Sequence, residues 1–408
     1  MIAAGGLVLG GCGAGELTVV TPPPPPSTDL TFVLQPLAED AAIAATLGWS
    51  LGIPDADVVI TPLDGTASPL TVKSDANGEV VADLPAGDYE IWATRWLSPD
   101  ERAATPAIEG VTGWVTRAAK RLSASGTVLL PLAASRRRSL VISEWWTGNR
   151  IDPILRESYS FGNYIELYNN ADTTIYLDGM VIGRALVVVW SYPNFPCSLY
   201  DSFVYDAAGV WTIWVEAFPG SGSTYPVAPG QYVLVATDAI DHSEIVVDGP
   251  DLRSADFEFT GAGDVDNPAV PNMIPIGPNG SSYHGLTWPS IHAMAVLAQP
   301  LDPAGLPAGV VPGDLARPMF RIPVAKVLDA ISFLAHDAGV PACGRSVSPA
   351  IDRSLNADLL GLGGEQAKYP FSLHRRESGI STSGPLLLQH SRSSSVDLLV
   401  RPRSPGRP

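Results

Sequence analysis

Cysteine is scarce in this 408-residue chain: Cys12, Cys197 and Cys343 are all there is, which allows at most one disulfide. Positive charge is also short, with 25 Lys and Arg against 42 Asp and Glu and a formal net charge of −17. Such a chain repels polyanions, so nucleic acid is not expected as a partner, and solubility is the ordinary meaning of the charge. Beyond the first residues no run reaches the ~20 apolar residues of a membrane helix, so the remainder is expected to be soluble. Stretches free of Gly and Pro are rare, because 39 Gly and 38 Pro are spread along the chain. That spacing leaves little room for long helices and suits short strands joined by turns. Nucleophile elbow, Walker loop, zincin helix and dinucleotide fingerprint are all missing, and no enzyme is expected. What is present is 46% hydrophobic residues over a length sufficient for two domains, each with its own core.

Residues 1–12, Met1-Ile-Ala-Ala-Gly-Gly-Leu-Val-Leu-Gly-Gly-Cys12, are apolar and small up to the cysteine. They resemble the end of a bacterial lipoprotein signal segment, with Leu9-Gly10-Gly11-Cys12 as the lipobox. The usual basic residues ahead of the apolar stretch are absent, so the alternatives are an upstream start codon or an ordinary buried segment. The resemblance implies export, acylation of Cys12 and anchoring at the bacterial cell envelope, at the outer membrane or cell surface. The membrane is then a partner through acyl chains that partition at about 0.8 kcal/mol per methylene. Lipidation of Cys12 leaves Cys197 and Cys343, which in an oxidising compartment could form one disulfide worth about 4 kcal/mol. Two separate buried thiols are the alternative. Residues 13–27 are a Pro-rich linker whose Thr21–Ser27 run is a polyproline II spacer rising about 3.1 Å per residue.

Residues 28–133 carry strand and turn signals of their own. Asp57-Val-Val-Ile-Thr-Pro-Leu-Asp-Gly65 reads as a strand entering a turn, and Asn77-Gly78, between two alternating stretches, predicts a tight hairpin. In Gly87-Asp-Tyr-Glu-Ile-Trp-Ala93, the residues Tyr89, Ile91 and Ala93 alternate against Asp88, Glu90 and Trp92. This segment resembles the carboxypeptidase-regulatory-like, transthyretin-type β-sandwich, which implies a fold and no catalytic residue. Trp92, Trp96 and Trp114 suit core or inter-domain packing better than a sugar platform. Residues 134–139, with Arg136-Arg137-Arg138, read as a solvated basic linker.

The second domain is expected over residues 140–408. Leu140-Val-Ile-Ser-Glu-Trp-Trp-Thr-Gly148 opens it, and Asn163-Tyr-Ile-Glu-Leu-Tyr-Asn-Asn170 follows. In that second run Ile165 and Leu167 alternate with Tyr164, Glu166 and Tyr168, as in a half-buried strand. With Leu177-Asp-Gly-Met180, Ser372-Leu-His-Arg-Arg376, Leu388–Asp397 and Pro402-Arg-Ser-Pro-Gly406, these runs resemble a lamin-tail-type immunoglobulin-like sandwich with long insertions. Met180 and Leu398 stand where that family usually has aromatics. The runs Ile240-Asp-His-Ser-Glu244, Ser254–Phe259 and Asp264–Asn272 resemble an uncharacterised family of lamin-tail-like bacterial lipoproteins. The expected fold class is therefore all-β, two β-sandwich domains.

Chemistry has to be sought in scattered residues. Asp264, Asp266 and Asn267 place oxygens where a loop could wrap a structural calcium, although the bidentate Glu of an EF-hand is missing; an Asx-turn is the alternative. Asp241, His242, His284 and His292 complete a region that could serve a metal-assisted secreted hydrolase. Structural histidines are the competing reading. Trp190, Tyr192, Trp211 and Trp214 offer stacking faces for a ligand, with Trp211 and Trp214 on opposite sides of one strand; core packing is the other reading. The favoured function is a non-enzymatic surface lipoprotein, without a cofactor, that binds a surface protein or polysaccharide.

Overall fold

The computed structural model describes residues 27–62, 68–106, 108–122, 126–136, 139–146, 150–151, 158–159, 162–185, 197–261, 265–279, 292–311, 317–334, 347–354, 359, 371–380 and 384–406. Strands β1 Ser27–Pro36, β2 Asp57–Pro62, β3 Leu70–Lys73, β4 Glu79–Pro85, β5 Gly87–Trp96, β6 Ile108–Leu122 and β7 Gly126–Arg136 make the first body. Their order is β3-β2-β5-β6-β7-β1-β4, antiparallel except where β1 runs parallel to β7. Phe32, Leu34, Val80, Ala82, Leu130 and Leu132 from β1, β4 and β7 meet Val58, Ile60, Ile91 and Ala93 from β2 and β5 in one core. The alternation read in β5 places Tyr89, Ile91 and Ala93 inside as expected, and Trp92 points outward, where the guanidinium of Arg376 lies 4.0 Å from its ring.

The expected hairpin at Asn77-Gly78 is not one. β3 pairs with β2 and β4 with β1, so the turn carries the chain between layers instead of between paired neighbours. Asp75 organises it by accepting the backbone N–H groups of Asn77 and Glu79, each at 2.8 Å. Gly78 has φ +78°, and a Cβ there would lie 2.4 Å from the Ile53 nitrogen, so both conformation and space demand glycine.

The second body holds β8 Leu140–Trp146, β9 Arg150–Ile151, β10 Ser158–Tyr159, β11 Tyr164–Asn169, β12 Ile175–Tyr176, β13 Val181–Ala185 and β14 Gly209–Ala217. It continues with β15 Pro226–Val227, β16 Tyr232–Ala236, β17 Phe257–Glu258, β18 Ile274–Pro275, β19 His292–Ala298, β20 Ala308–Val310 and β21 Pro318–Pro323. It ends with β22 Val327–Leu334, β23 Phe371–Arg375, β24 Glu377–Ile380, β25 Leu386–Leu388 and β26 Leu398–Pro402. One sheet is ordered β17-β16-β11-β8-β23-β26 and the other β20-β21-β14-β13-β19-β22, with β18 added to β14. Ile142, Trp145, Ile165, Leu167, Val233 and Val235 of the first sheet pack on Ile182, Ala295, Leu297, Ile331 and Phe333 of the second. Both bodies are thus all-β sandwiches, the class that the patterning predicts.

Two local expectations are corrected. β11 is buried on both faces, not one. Ala239, Leu252, Ala255 and Val270 cover Tyr164 and Trp146, while Leu386 and Leu388 of β25 cover Tyr168 and Val141. The supposed linker also begins too early, because β7 runs on to Arg136 and buries Ala134 in the first core. Arg136 pairs with Asp40 at 2.7 Å, and its backbone N–H donates to the His390 carbonyl at 2.8 Å, so this stretch joins the two bodies instead of being solvated. Arg353 pairs with Glu39 across the same seam. Arg137 and Arg138, like Cys12 and the Pro-rich run 21–26, lie outside the described residues. Among the described residues no helix is long and apolar enough to cross a membrane.

Candidate functional site

The acidic loop region folds around its own backbone. Asn267 donates through Nδ2 to the Ala239 carbonyl at 2.9 Å and accepts the Ala269 N–H at 3.1 Å, so its side chain forms the Asx-turn. Asp266 accepts from Asn272 at 2.8 Å. Buried Glu258 takes the N–H groups of Ala239 and Asn267, both at 2.9 Å. Burial raises its carboxyl above the usual range, those two N–H groups oppose the shift, and neighbouring Asp266 adds to it. His242 is fully buried and donates Nε2–H to the Asp238 carbonyl at 3.0 Å. Asp241 accepts from Ser243 and lies 3.3 Å from Arg253. His292 contributes backbone to β19, and Asp264 and His284 lie outside the described residues. Among the described residues no cluster of three or more His, Cys, Asp or Glu could hold a metal ion.

Trp211 and Trp214 do not take opposite sides of β14. Arg184 of β13 pairs with Trp214 and Ala185 with Thr212, so Ile213 is an extra residue, a bulge that resets the alternation. Both indoles then pack with Phe203, Ile213, Val311 and Met319. Arg184 and Arg317 lie 5.1 and 5.8 Å from the Trp214 ring, where a sugar would have to stack. Trp211 donates Nε1–H to Asp206 at 3.0 Å, and Asp206 also binds Arg321 at 2.9 Å. Trp190 and Tyr192 lie outside the described residues. Cys197 is disulfide-bonded; Cys343, like Cys12, lies outside the described residues.

A buried polar constellation in the second body was not singled out by sequence spacing. Glu144 on β8 and Glu166 on β11 sit opposite each other, 1% and 0% exposed. Glu144 accepts the hydroxyls of Tyr164 and Ser372, and Glu166 that of Ser143. Ser372, His374 and Glu144 have the residue types of a nucleophile, base and acid. The imidazole Nε2, however, lies 2.8 Å from the Ser372 hydroxyl and 3.0 Å from the Pro402 carbonyl, which can only accept, so the nitrogen beside the hydroxyl carries its proton; the hydroxyl itself donates to Glu144 at 2.6 Å, and all three side chains are buried. The C-terminal run closes the row from outside. Ser404 gives its N–H and hydroxyl to Glu144, Gly406 gives its N–H to Glu166, all at 3.0 Å, and Arg403 lies 4.7 Å from the Trp146 ring. Burial raises the Tyr164 hydroxyl well above its ordinary value, and the charge of Glu144 adds to that.

A second buried network joins β22, β23 and the 389–397 turn. Arg375 donates to the Ile142 and Gln389 carbonyls at 2.7 and 3.0 Å and pairs with Asp329 and Asp397. Asp329 also takes the N–H groups of Ile142 and Ala330 and faces His390 Nε2 at 3.2 Å. Burial alone would raise the Asp329 carboxyl, but Arg375 and His390 hold it below the usual range. Asp352 binds the hydroxyls of Ser332 and Ser394, and the hydroxyls of Ser354, Ser393 and Ser395 bond one another.

No family model and no curated protein matches the sequence. Among solved structures, a DUF4876 family protein from Bacteroides thetaiotaomicron is similar over 91% of this chain and 94% of that one, at 17% identity and a TM-score of 0.50. It supports the β fold. A DUF3823 family protein from Parabacteroides merdae aligns at 9% identity over 67% of this chain and 91% of that one, and its TM-score of 0.17 adds nothing to the assignment.

Proposed function

We propose that this chain is a non-catalytic module displayed at the bacterial cell envelope, tethered by acylated Cys12, that binds a surface protein or polysaccharide. One observation carries the reading. The buried acids and imidazoles of the second sandwich hold the chain's own backbone: Glu144 and Glu166 hold the C-terminal run, Glu258 the 239–267 loop, and Asp329 with Arg375 the strand junction. Groups committed in this way position loops, which supports a structural role for them over a catalytic one. The two-sandwich architecture and the lipobox-like Leu9–Cys12 run are the features expected of a tethered binding module. Screening the purified protein on arrays of glycans and envelope proteins is expected to give saturable binding without turnover. A metal analysis that returned one tightly held zinc per chain, together with hydrolysis of any array component, would overturn the reading. Accumulation of unprocessed precursor under globomycin, and its accumulation without the inhibitor in Cys12→Ala, check the tether separately.

A further inference from the structure

A small cavity of about 50 Å³ lies beside the seam between the two bodies, bordered by Val327, Asp329, Ala350, Ile351, His390 and Arg392. Its acid is already saturated. Asp329 Oδ2 accepts the Ile142 N–H and a guanidinium N–H of Arg375, while Oδ1 accepts the Ala330 N–H and His390 Nε2–H. Two nitrogens among the lining side chains are left over. His390 is 3% exposed and its Nδ1 has no hydrogen-bond partner, and the buried Nε of Arg392 has none either. Arg392 otherwise donates one bond, a 3.3 Å contact to the Ala350 carbonyl, and it sits at φ +60°, a conformation an arginine rarely adopts. Leaving a buried donor or acceptor unpaired costs about 1–3 kcal/mol, more for a charged group, so the Arg392 Nε–H donor and the His390 Nδ1 acceptor call for an occupant.

We propose that this cavity binds a small oxyanion of phosphate or carboxylate size, held by Arg392 Nε–H and His390 Nδ1. The charge around the cavity fits a negative guest, because Arg136 lies near enough to act on Arg392, and Asp40, the nearby acid, is already shared by Arg136 and Arg353. A guanidinium N–H prefers a charged oxygen, and a singly protonated oxyanion can also satisfy the imidazole nitrogen. Its place beside the seam means that the guest would tie the turn from β25 to β26 to β22 and, through Arg136, to the first body.

Inorganic phosphate, titrated into the full chain at constant ionic strength set with chloride, is expected to raise the unfolding midpoint saturably. The apparent affinity is expected to fall about tenfold or more in Arg392→Gln, the loss of one charge-assisted bond. Because that variant could fail to fold, crystals of the unaltered protein soaked in arsenate, which is protonated as phosphate is, provide the second measurement. Anomalous density within hydrogen-bond distance of Arg392 Nε supports the proposal. Water alone in the cavity, or a phosphate response that Arg392→Gln leaves unchanged, overturns it.

Discussion

Removing the chain after Pro402 tests whether the C-terminal run stabilises the second sandwich as its contacts imply. The truncation deletes three hydrogen bonds to buried carboxylates, two from Ser404 to Glu144 and one from Gly406 to Glu166. At about 1.5–3 kcal/mol for each bond to a charged group, the gross loss is about 4–9 kcal/mol. Water enters once the cover is gone and restores part of this, leaving about 2–4 kcal/mol. Loss of the Arg403 guanidinium from Trp146 adds about 0.5–1 kcal/mol. The expected total of about 3–5 kcal/mol is a large share of the roughly 5–15 kcal/mol that holds a domain together. Urea unfolding followed by tryptophan fluorescence reads it directly, since Trp145 and Trp146 lie in the affected sheet. A truncated chain within about 0.5 kcal/mol of the full one would show that the tail is a bystander. Ser404→Ala, which keeps the backbone bond, is expected to lose about 1 kcal/mol.

Other expectations are narrower. Burial opposes ionisation of Asp178, but N–H groups of Tyr225, Thr224 and Gly222 outweigh it and hold its carboxyl below the usual range. Its contribution is present above the unfolded value of about 3.9 and is lost as pH falls through the folded one, so the destabilisation in Asp178→Asn should shrink in acid scans below about pH 4. Burial lowers the His242 pKa, against the pull of the Asp238 carbonyl, so the unfolded chain takes up the proton first. Stability should therefore decline as pH drops below about 6.5, and thermal melts of His242→Gln should lack that slope. Gly78→Ala meets both a positive φ and backbone at 2.4 Å, and calorimetry should show a loss above about 2 kcal/mol. Arg376→Met removes the cation from Trp92 between the bodies, and calorimetry should show a loss of about 1–2 kcal/mol with the two melting transitions moving apart.

Strand identity was partly legible because a period of two survives in single sequences: β5 and β11 fall where alternation puts them. Sidedness was not. Whether β11 shows one face or two to solvent depends on Val270 and Leu388, roughly 100 and 220 residues further on, and no local pattern reports on cover from so far away. Asn77-Gly78 was readable as a turn but not as a crossing between layers, since the dipeptide supplies dihedral angles and says nothing of pairing partners. The bulge at Ile213 defeated alternation for the same reason. For the polar networks, Ser372–Arg376 and Leu388–Asp397 were visible as resemblances to a family. Their partners Glu144, Asp329 and Asp352 carry no spacing signal, because only the folded sheet brings them together.

β1 lies inside its sheet, hydrogen-bonded to β7 on one side and to β4 on the other. A pull applied to the chain ahead of Ser27 therefore loads two ladders along their length and must break many bonds at once, where an edge strand would peel one bond at a time. With Arg136, Arg353 and Arg376 clamping the seam, the strain would pass on into the second sandwich. If the chain is tethered ahead of Ser27 as proposed, this arrangement would resist the pull by shear and not by peeling.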